Sequence, residues 1–230
     1  MRRALVTLLA LATAVLCIGL PAARSAPAGP STGTAAAARH WPAYFTRVHH
    51  VTSRELGKSW RPGCPVGPSG LRQVALRYAG FDHRPHTGRL VVATGAVTAI
   101  ERAMHTLYHH RFPIRRMRPI AAYGGSDNRS MRNDNTSAFN CRYAVANGPK
   151  PWSAHAYGDA IDIDPVENPY VLNGKVRPAK GKRYADRSHH RRGMITAGSL
   201  PVRAFRAVSW QWGGRWSSSP DWQHFSATGG

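Results

Sequence analysis

The stretch Ser153-Ala154-His155-Ala156-Tyr157-Gly158-Asp159-Ala160-Ile161-Asp162-Ile163-Asp164-Pro165 combines a strand signature with chemically active side chains. From Ala160 to Asp164 apolar residues alternate with carboxylates, the period of a β-strand, and Pro165 ends the run because proline has no N–H for a ladder. On such a strand Ile161 and Ile163 face one side while Asp162 and Asp164 face the other, which suits the floor of a cleft. Gly158 permits a turn ahead of the strand, so that the His155 imidazole and the Asp162 carboxylate can meet.

Working outward, Val74, Leu76 and Tyr78 alternate with Ala75 and Arg77, residues 80–88 break the pattern, and Leu90-Val91-Val92 resumes it; this predicts a hairpin with a long loop. Val97, Ile100, Met104 and Leu107 recur at the spacing of one helix face until Phe112-Pro113. A strand is expected over 113–120, carrying Ile114 and Ile120, and a long polar loop over 123–143 of the kind that serves function. Val202, Phe205 and Val208 predict a short helix after Pro201, and residues 222–226 a last strand. Strands and helices do not alternate regularly, so the expected class is α+β, a mainly antiparallel sheet flanked by helices in a single domain.

The first residues, Met1-Arg2-Arg3, an uncharged apolar run from Ala4 to Leu20 and the small residues around Ala23 and Ser25, predict a secretory signal peptide over 1–25. Cys17 leaves with it, no stable membrane span remains, and the expected location is outside the cell or in its envelope. Residues 26–58 read as an Ala/Pro-rich linker and N-terminal extension, with order beginning between Trp41 and Trp60, and 59–230 as the functional domain. Cys64 and Cys141 are then an even pair in an oxidising compartment and are expected to form one disulfide; a cysteine zinc site lacks a partner CxxC. Lys and Arg outnumber Asp and Glu by 32 to 11, for a net charge of +21, which points to polyanionic surroundings. The basic residues are scattered along the chain, so anionic cell-wall polymers, not nucleic acid, are the expected polyanion.

His155, Asp162 and His224 together form a three-ligand set for one catalytic zinc ion per chain, leaving a fourth position for water. Asp221, three residues before His224, is placed to take a proton from that water and pass it to a leaving amine. Plainer readings exist for each: a buried His155 bonded to a carbonyl, His224 in an aromatic cluster with Trp222 and Phe225, Asp164 capping the turn at Pro165. His105 and His109 lack the Glu of a metalloprotease helix and read as a solvated face, as do the pairs His83/His86, His49/His50 and His189/His190. Trp210, Trp212 and Trp216 read as core or cleft wall before glycan groove. Ser153 has no base beside it and reads as a positioning or substrate-binding group.

The pattern Ser-x-His-x-x-Gly-x-Ala-x-Asp at Ser153, His155, Gly158, Ala160 and Asp162, followed by Asp-x-x-His-Phe at Asp221, His224 and Phe225, resembles the zinc peptidases of bacterial cell walls. That family includes D-alanyl-D-alanine carboxypeptidases, VanY-type and other vancomycin-resistance D,D-peptidases and phage L-alanyl-D-glutamate endolysins, and shares its fold with the hedgehog signalling domain. The resemblance extends over residues 60–226 through Trp60-Arg61-Pro62-Gly63-Cys64-Pro65, Asn135-Thr136-Ser137-Ala138-Phe139-Asn140-Cys141-Arg142 and Asn168-Pro169-Tyr170. It implies a hedgehog/DD-peptidase-like fold, zinc on His155, Asp162 and His224, Asp221 as general base and acid, and peptidoglycan stem peptides as substrate. Many relatives carry Glu at the Asp221 position, which leaves the terminal D-Ala-D-Ala bond and the internal L-Ala-D-Glu bond both open. It also implies an upstream arginine for the oxyanion. Arg129 is the first choice and Arg142 the rival, otherwise a substrate contact with Ser153. The alternative function is a zinc-containing wall-binding domain of the same fold without chemistry.

Overall fold

The computed structural model describes residues 41–145 and 151–229. The signal peptide expected at 1–25 and the start of the extension expected at 26–58 lie outside the described residues. A compact unit begins at Trp41, earlier than the boundary expected at 59. Strand β1 (Thr46–His50) pairs antiparallel with β2 (Leu71–Gly80), Thr46 opposite Leu76 and His50 opposite Arg72. Helix α1 (Ser53–Leu56) is opened by a capping box between Thr52 and Glu55. The unit starts at the early end of the 41–60 range expected for the onset of order, and β1 carries no apolar signal because it turns nearly all its side chains to solvent. Backbone pairing, which leaves no apolar pattern, holds it in place.

β2 and β3 (Pro85–Ala93) form the expected hairpin, paired from Leu71 opposite Ala93 to Ala79 opposite Pro85, with a shorter connection than the broken pattern suggested. Helix α2 (Val97–His109) buries Ile100, Met104 and Leu107 against Leu76, Leu90 and Val92. Each such side chain contributes about 1.5–3 kcal/mol of burial. The strand expected over 113–120 is only β4 (Pro113–Ile114), parallel to the end of β2, and Ile120 instead opens a 3-10 turn. The loop expected over 123–143 contains a helix, α3 (Asp127–Arg132), with Ser126 accepting a bond from the Arg129 N–H at 3.3 Å. Six mostly polar residues show no apolar stripe, so only the cap announces it.

The rest of the chain carries α4 (Ala154–Tyr157), β5 (Ala160–Asp162), β6 (Tyr170–Leu172), β7 (Lys175–Arg177), α5 (Lys182–Ala185), α6 (Leu200–Arg206), β8 (Gln211–Trp212) and β9 (His224–Ser226). A second antiparallel sheet runs β5-β9-β8, and β6-β7 is a separate hairpin. The α+β class with mainly antiparallel sheets therefore stands. In the second sheet Ile161 lies opposite Phe225 and Asp162 opposite His224. Phe225 stacks on Phe205 of α6 at 4.3 Å in the core. The same register that buries the two apolar residues pairs the two polar ones, and a one-residue slip would separate both.

The alternation from Ala160 to Asp164 does not persist: β5 stops at Asp162, and Asp164 takes φ +43°. Its carboxylate accepts bonds from the Arg115 N–H at 2.9 Å and the Thr136 hydroxyl at 3.2 Å, so it leaves the shared face expected with Asp162. Trp210 and Trp212 are core residues, and His49, His50, His83, His105, His109, His189 and His190 are exposed.

Cys64 and Cys141 form a disulfide with Cα atoms 5.9 Å apart across 77 residues of sequence. Closing a loop of that length stabilises by about 4–5 kcal/mol on the chain-entropy model. Replacing both cysteines by serine is expected to lower Tm by roughly 10–20 °C in calorimetry. Labelling of either thiol in unreduced native protein would refute the bridge.

Candidate metal centre

His155 is set by its neighbours before any ligand is considered. Ser153 caps α4, its hydroxyl accepting from the His155 N–H at 3.3 Å. The helix ends at Gly158 in the left-handed region, φ +78°, where a Cβ would lie 2.5 Å from the Ala93 nitrogen. Ala93 donates to the Gly158 carbonyl at 3.0 Å, so the turn is clamped against the edge of β3. Only glycine fits both the φ and the space. Residues 135–141, from the segment read as a loop, are buried and thread between α4 and β5. Asn140 donates to the His155 carbonyl at 3.0 Å, and Ser137 exchanges backbone bonds of 3.0 and 2.8 Å with Asp162.

Three side-chain atoms converge. His155 Nε2 lies 3.2 Å from Asp162 Oδ1 and 3.2 Å from His224 Nδ1, and His224 Nδ1 lies 3.1 Å from Asp162 Oδ1. His155 Nδ1 is 2.6 Å from the Ala138 carbonyl, so the proton sits there and Nε2 presents a lone pair. Two imidazole nitrogens and a carboxylate oxygen aimed at one another are acceptors with nothing to accept unless a proton or cation stands among them. Ligands about 2.0–2.1 Å from a tetrahedral ion lie about 3.3 Å apart, which the triangle matches. All three residues are buried, and among the described residues this is the one such His/Cys/Asp/Glu group. Burial alone would push the Asp162 carboxyl up; the facing His155 and His224 hold it far below the usual carboxylate range.

Asp221 is buried on the wall of the same cavity, and its Oδ1 has no hydrogen-bond partner among the described residues. Its carbonyl accepts from the His224 N–H at 3.3 Å, which ties the two residues together. Burial first, then the nearby Asp162 carboxylate, push its carboxyl up to about 7 against the pull of His224 and Arg142. The cavity holds about 580 Å³ and is lined by Ser153, His155, Asp221 and His224, with Trp216 at 5.4 Å from the His224 ring.

The two arginines separate cleanly. Arg129 is exposed on α3 with its guanidinium beside Gly124, and it does not line the cavity. Arg142 does line it, pairs with Asp127 at 3.1 Å, and lies close enough to Asp162 and Asp221 for their charges to act on it. Of the two candidates for the oxyanion role, the rival Arg142 is the one at the cavity, and the first choice Arg129 is not. Sequence spacing cannot tell which face of a short helix meets the cleft. Asp127, Tyr170 and Arg177 also line the cavity and were given no role in the sequence reading, and Trp216, read as core or cleft wall, lines it too.

Residues 146–227 match the family model described as D-alanyl-D-alanine carboxypeptidase, which supports the resemblance read from the motifs and spans Ser153, His155, Asp162, Asp221 and His224. No curated protein and no solved structure matches the chain.

Proposed function

We propose that this chain, whose residues 146–227 match the D-alanyl-D-alanine carboxypeptidase family model, is a secreted zinc peptidase of that family hydrolysing an amide bond in peptidoglycan stem peptides. The observation that carries the reading is the triangle of His155 Nε2, Asp162 Oδ1 and His224 Nδ1 opening on a cavity that also presents Asp221. Export is supported by the disulfide. The net charge of +21 favours anionic wall polymers as surroundings.

Zinc, when bound by His155, Asp162 and His224, supplies Lewis acidity that acidifies water and polarises a carbonyl. Ala138 fixes the tautomer of His155, and the strand register fixes His224 against Asp162. Asp221, in its ionised form and with no partner at Oδ1 among the described residues, takes the proton of the attacking water and delivers it to the departing amine. Arg142, held by Asp127, offers a fixed guanidinium to the charge that develops on the carbonyl oxygen. Ser153 stays with the cap of α4 at the cavity wall.

Incubating the zinc-loaded protein with purified muropeptides is expected to release D-alanine or to split the L-Ala-D-Glu bond, read by mass spectrometry. Unchanged muropeptides with zinc bound would favour the wall-binding alternative, against which a buried, free carboxylate beside the ligands already argues. Arg142→Gln is expected to lower kcat by roughly 10²–10³, the usual loss for one oxyanion donor. Arg129→Gln in the same assay should stay within a factor of about two, and a reversed ranking would return the role to Arg129.

A further inference from the structure

The β6-β7 hairpin brings a second guanidinium to the cavity. Asp221 bridges to Tyr170 in antiparallel register, and Tyr170 lies opposite Arg177. Directly opposed residues project to the same face, each step spanning about 4.5–5.5 Å, so Asp221, Tyr170 and Arg177 form a row about 10 Å long. All three line the cavity. Tyr170 stands between the others with its hydroxyl donating to the Val145 carbonyl at 3.1 Å. The two cavity guanidiniums among the described residues are differently placed. Arg142 is neutralised by Asp127, whereas Arg177, partly buried, makes no ion pair among the described residues. A half-buried guanidinium facing a cavity without a counter-ion is a receptor for an anion.

We infer that Arg177 reads a free α-carboxylate on the residue that leaves with the amine. The inference rests on the peptidase reading above. With the scissile carbonyl at the metal centre, the leaving nitrogen sits beside Asp221, and the α-carboxylate of that residue is carried away from it, along the row that ends at Arg177. A C-terminal D-alanine carries this group, and so does a γ-linked D-glutamate, whose α-carboxyl is not part of the chain. Arg177 therefore selects the shared chemistry, and the substrate decides which bond is presented. Tyr170 is a positioning residue that spaces the two ends of the row.

The test uses two pairs of synthetic stem peptides, one ending in D-alanine as the acid or the amide, the other with the α-carboxyl of γ-linked D-glutamate free or amidated. The zinc-loaded full chain is expected to prefer the acid of one pair by roughly 10- to 100-fold in kcat/KM, and that pair identifies the source. Arg177→Gln should erase the preference, mainly by raising KM for the acid; Arg177→Lys should restore part of it. Calorimetric binding of the same pairs to the zinc-loaded Asp221→Asn protein separates the two levels of argument. Absence of turnover by the unaltered protein would sink the peptidase reading alone, because an acid preference in binding that Arg177→Gln removes would still sustain the assignment. An acid preference that survives Arg177→Gln, or none in binding or turnover, overturns it.

Discussion

Replacing His155 by alanine is expected to strip the protein of its metal and its turnover together, and His224→Ala should do the same. Each removes one corner of a triangle whose edges are 3.1–3.2 Å, leaving two ligands that cannot hold an ion against water. The loss of affinity should exceed by far the roughly 10- to 100-fold that losing only a supporting partner costs. A second readout is independent of activity. Zinc at a thousandfold excess over Kd stabilises the native state by about 4 kcal/mol, since it binds the folded site and not the unfolded chain. For a domain of this size that raises Tm by roughly 8–16 °C. The unaltered protein should show the rise and neither variant should. Elemental analysis finding stoichiometric zinc in His155→Ala would remove that residue from the ligand set.

Asp221→Asn is expected to keep the zinc and lose roughly 10²–10⁴ in kcat, the usual contribution of a placed general acid-base group. Metal content and activity then come apart, as they do not for the histidines. The pH profile gives the sign. Asp221 must be ionised to accept a proton, so kcat/KM rises with pH through its pKa and falls about tenfold per unit below it. Burial displaces that pKa toward about 7 in the metal-free protein, and a bound dication pulls it back down, so the acid limb of the zinc-loaded enzyme should lie below that value. In Asp221→Asn that limb should vanish. A variant retaining both the rate and the limb would assign the proton transfer elsewhere, and loss of zinc with activity would make Asp221 a support of the ligands. Asp221→Glu tests whether the cavity accepts the longer arm.

Much of this site was legible because its parts are local. Ser153, His155, Gly158 and Asp162 lie within one turn and one strand, where a cap, a left-handed glycine and a short alternation are dictated by the chain itself. Asp221 and His224 share the same short-range logic near the other end. The helix 97–109 and the hairpin were legible for the same reason, each having a buried face with a regular period. Elements without such a face were not: β1 is solvated on nearly every side chain, and α3 is too short and polar to show a stripe.

By itself, then, the amino-acid sequence determined the α+β class, the disulfide pair and which residue types could hold a metal, because composition, cap chemistry and two- or three-residue periods depend on neighbours in the chain. Tertiary structure alone decided that His224 stands opposite Asp162, that Arg142 and not Arg129 turns into the cavity, and that Arg177 reaches it across Tyr170. The β5-β9 register is fixed by burying Ile161, Phe225 and Phe205 together in the core, a contact between residues far apart in sequence, and the face α3 turns inward by its buried Ser130 and Met131.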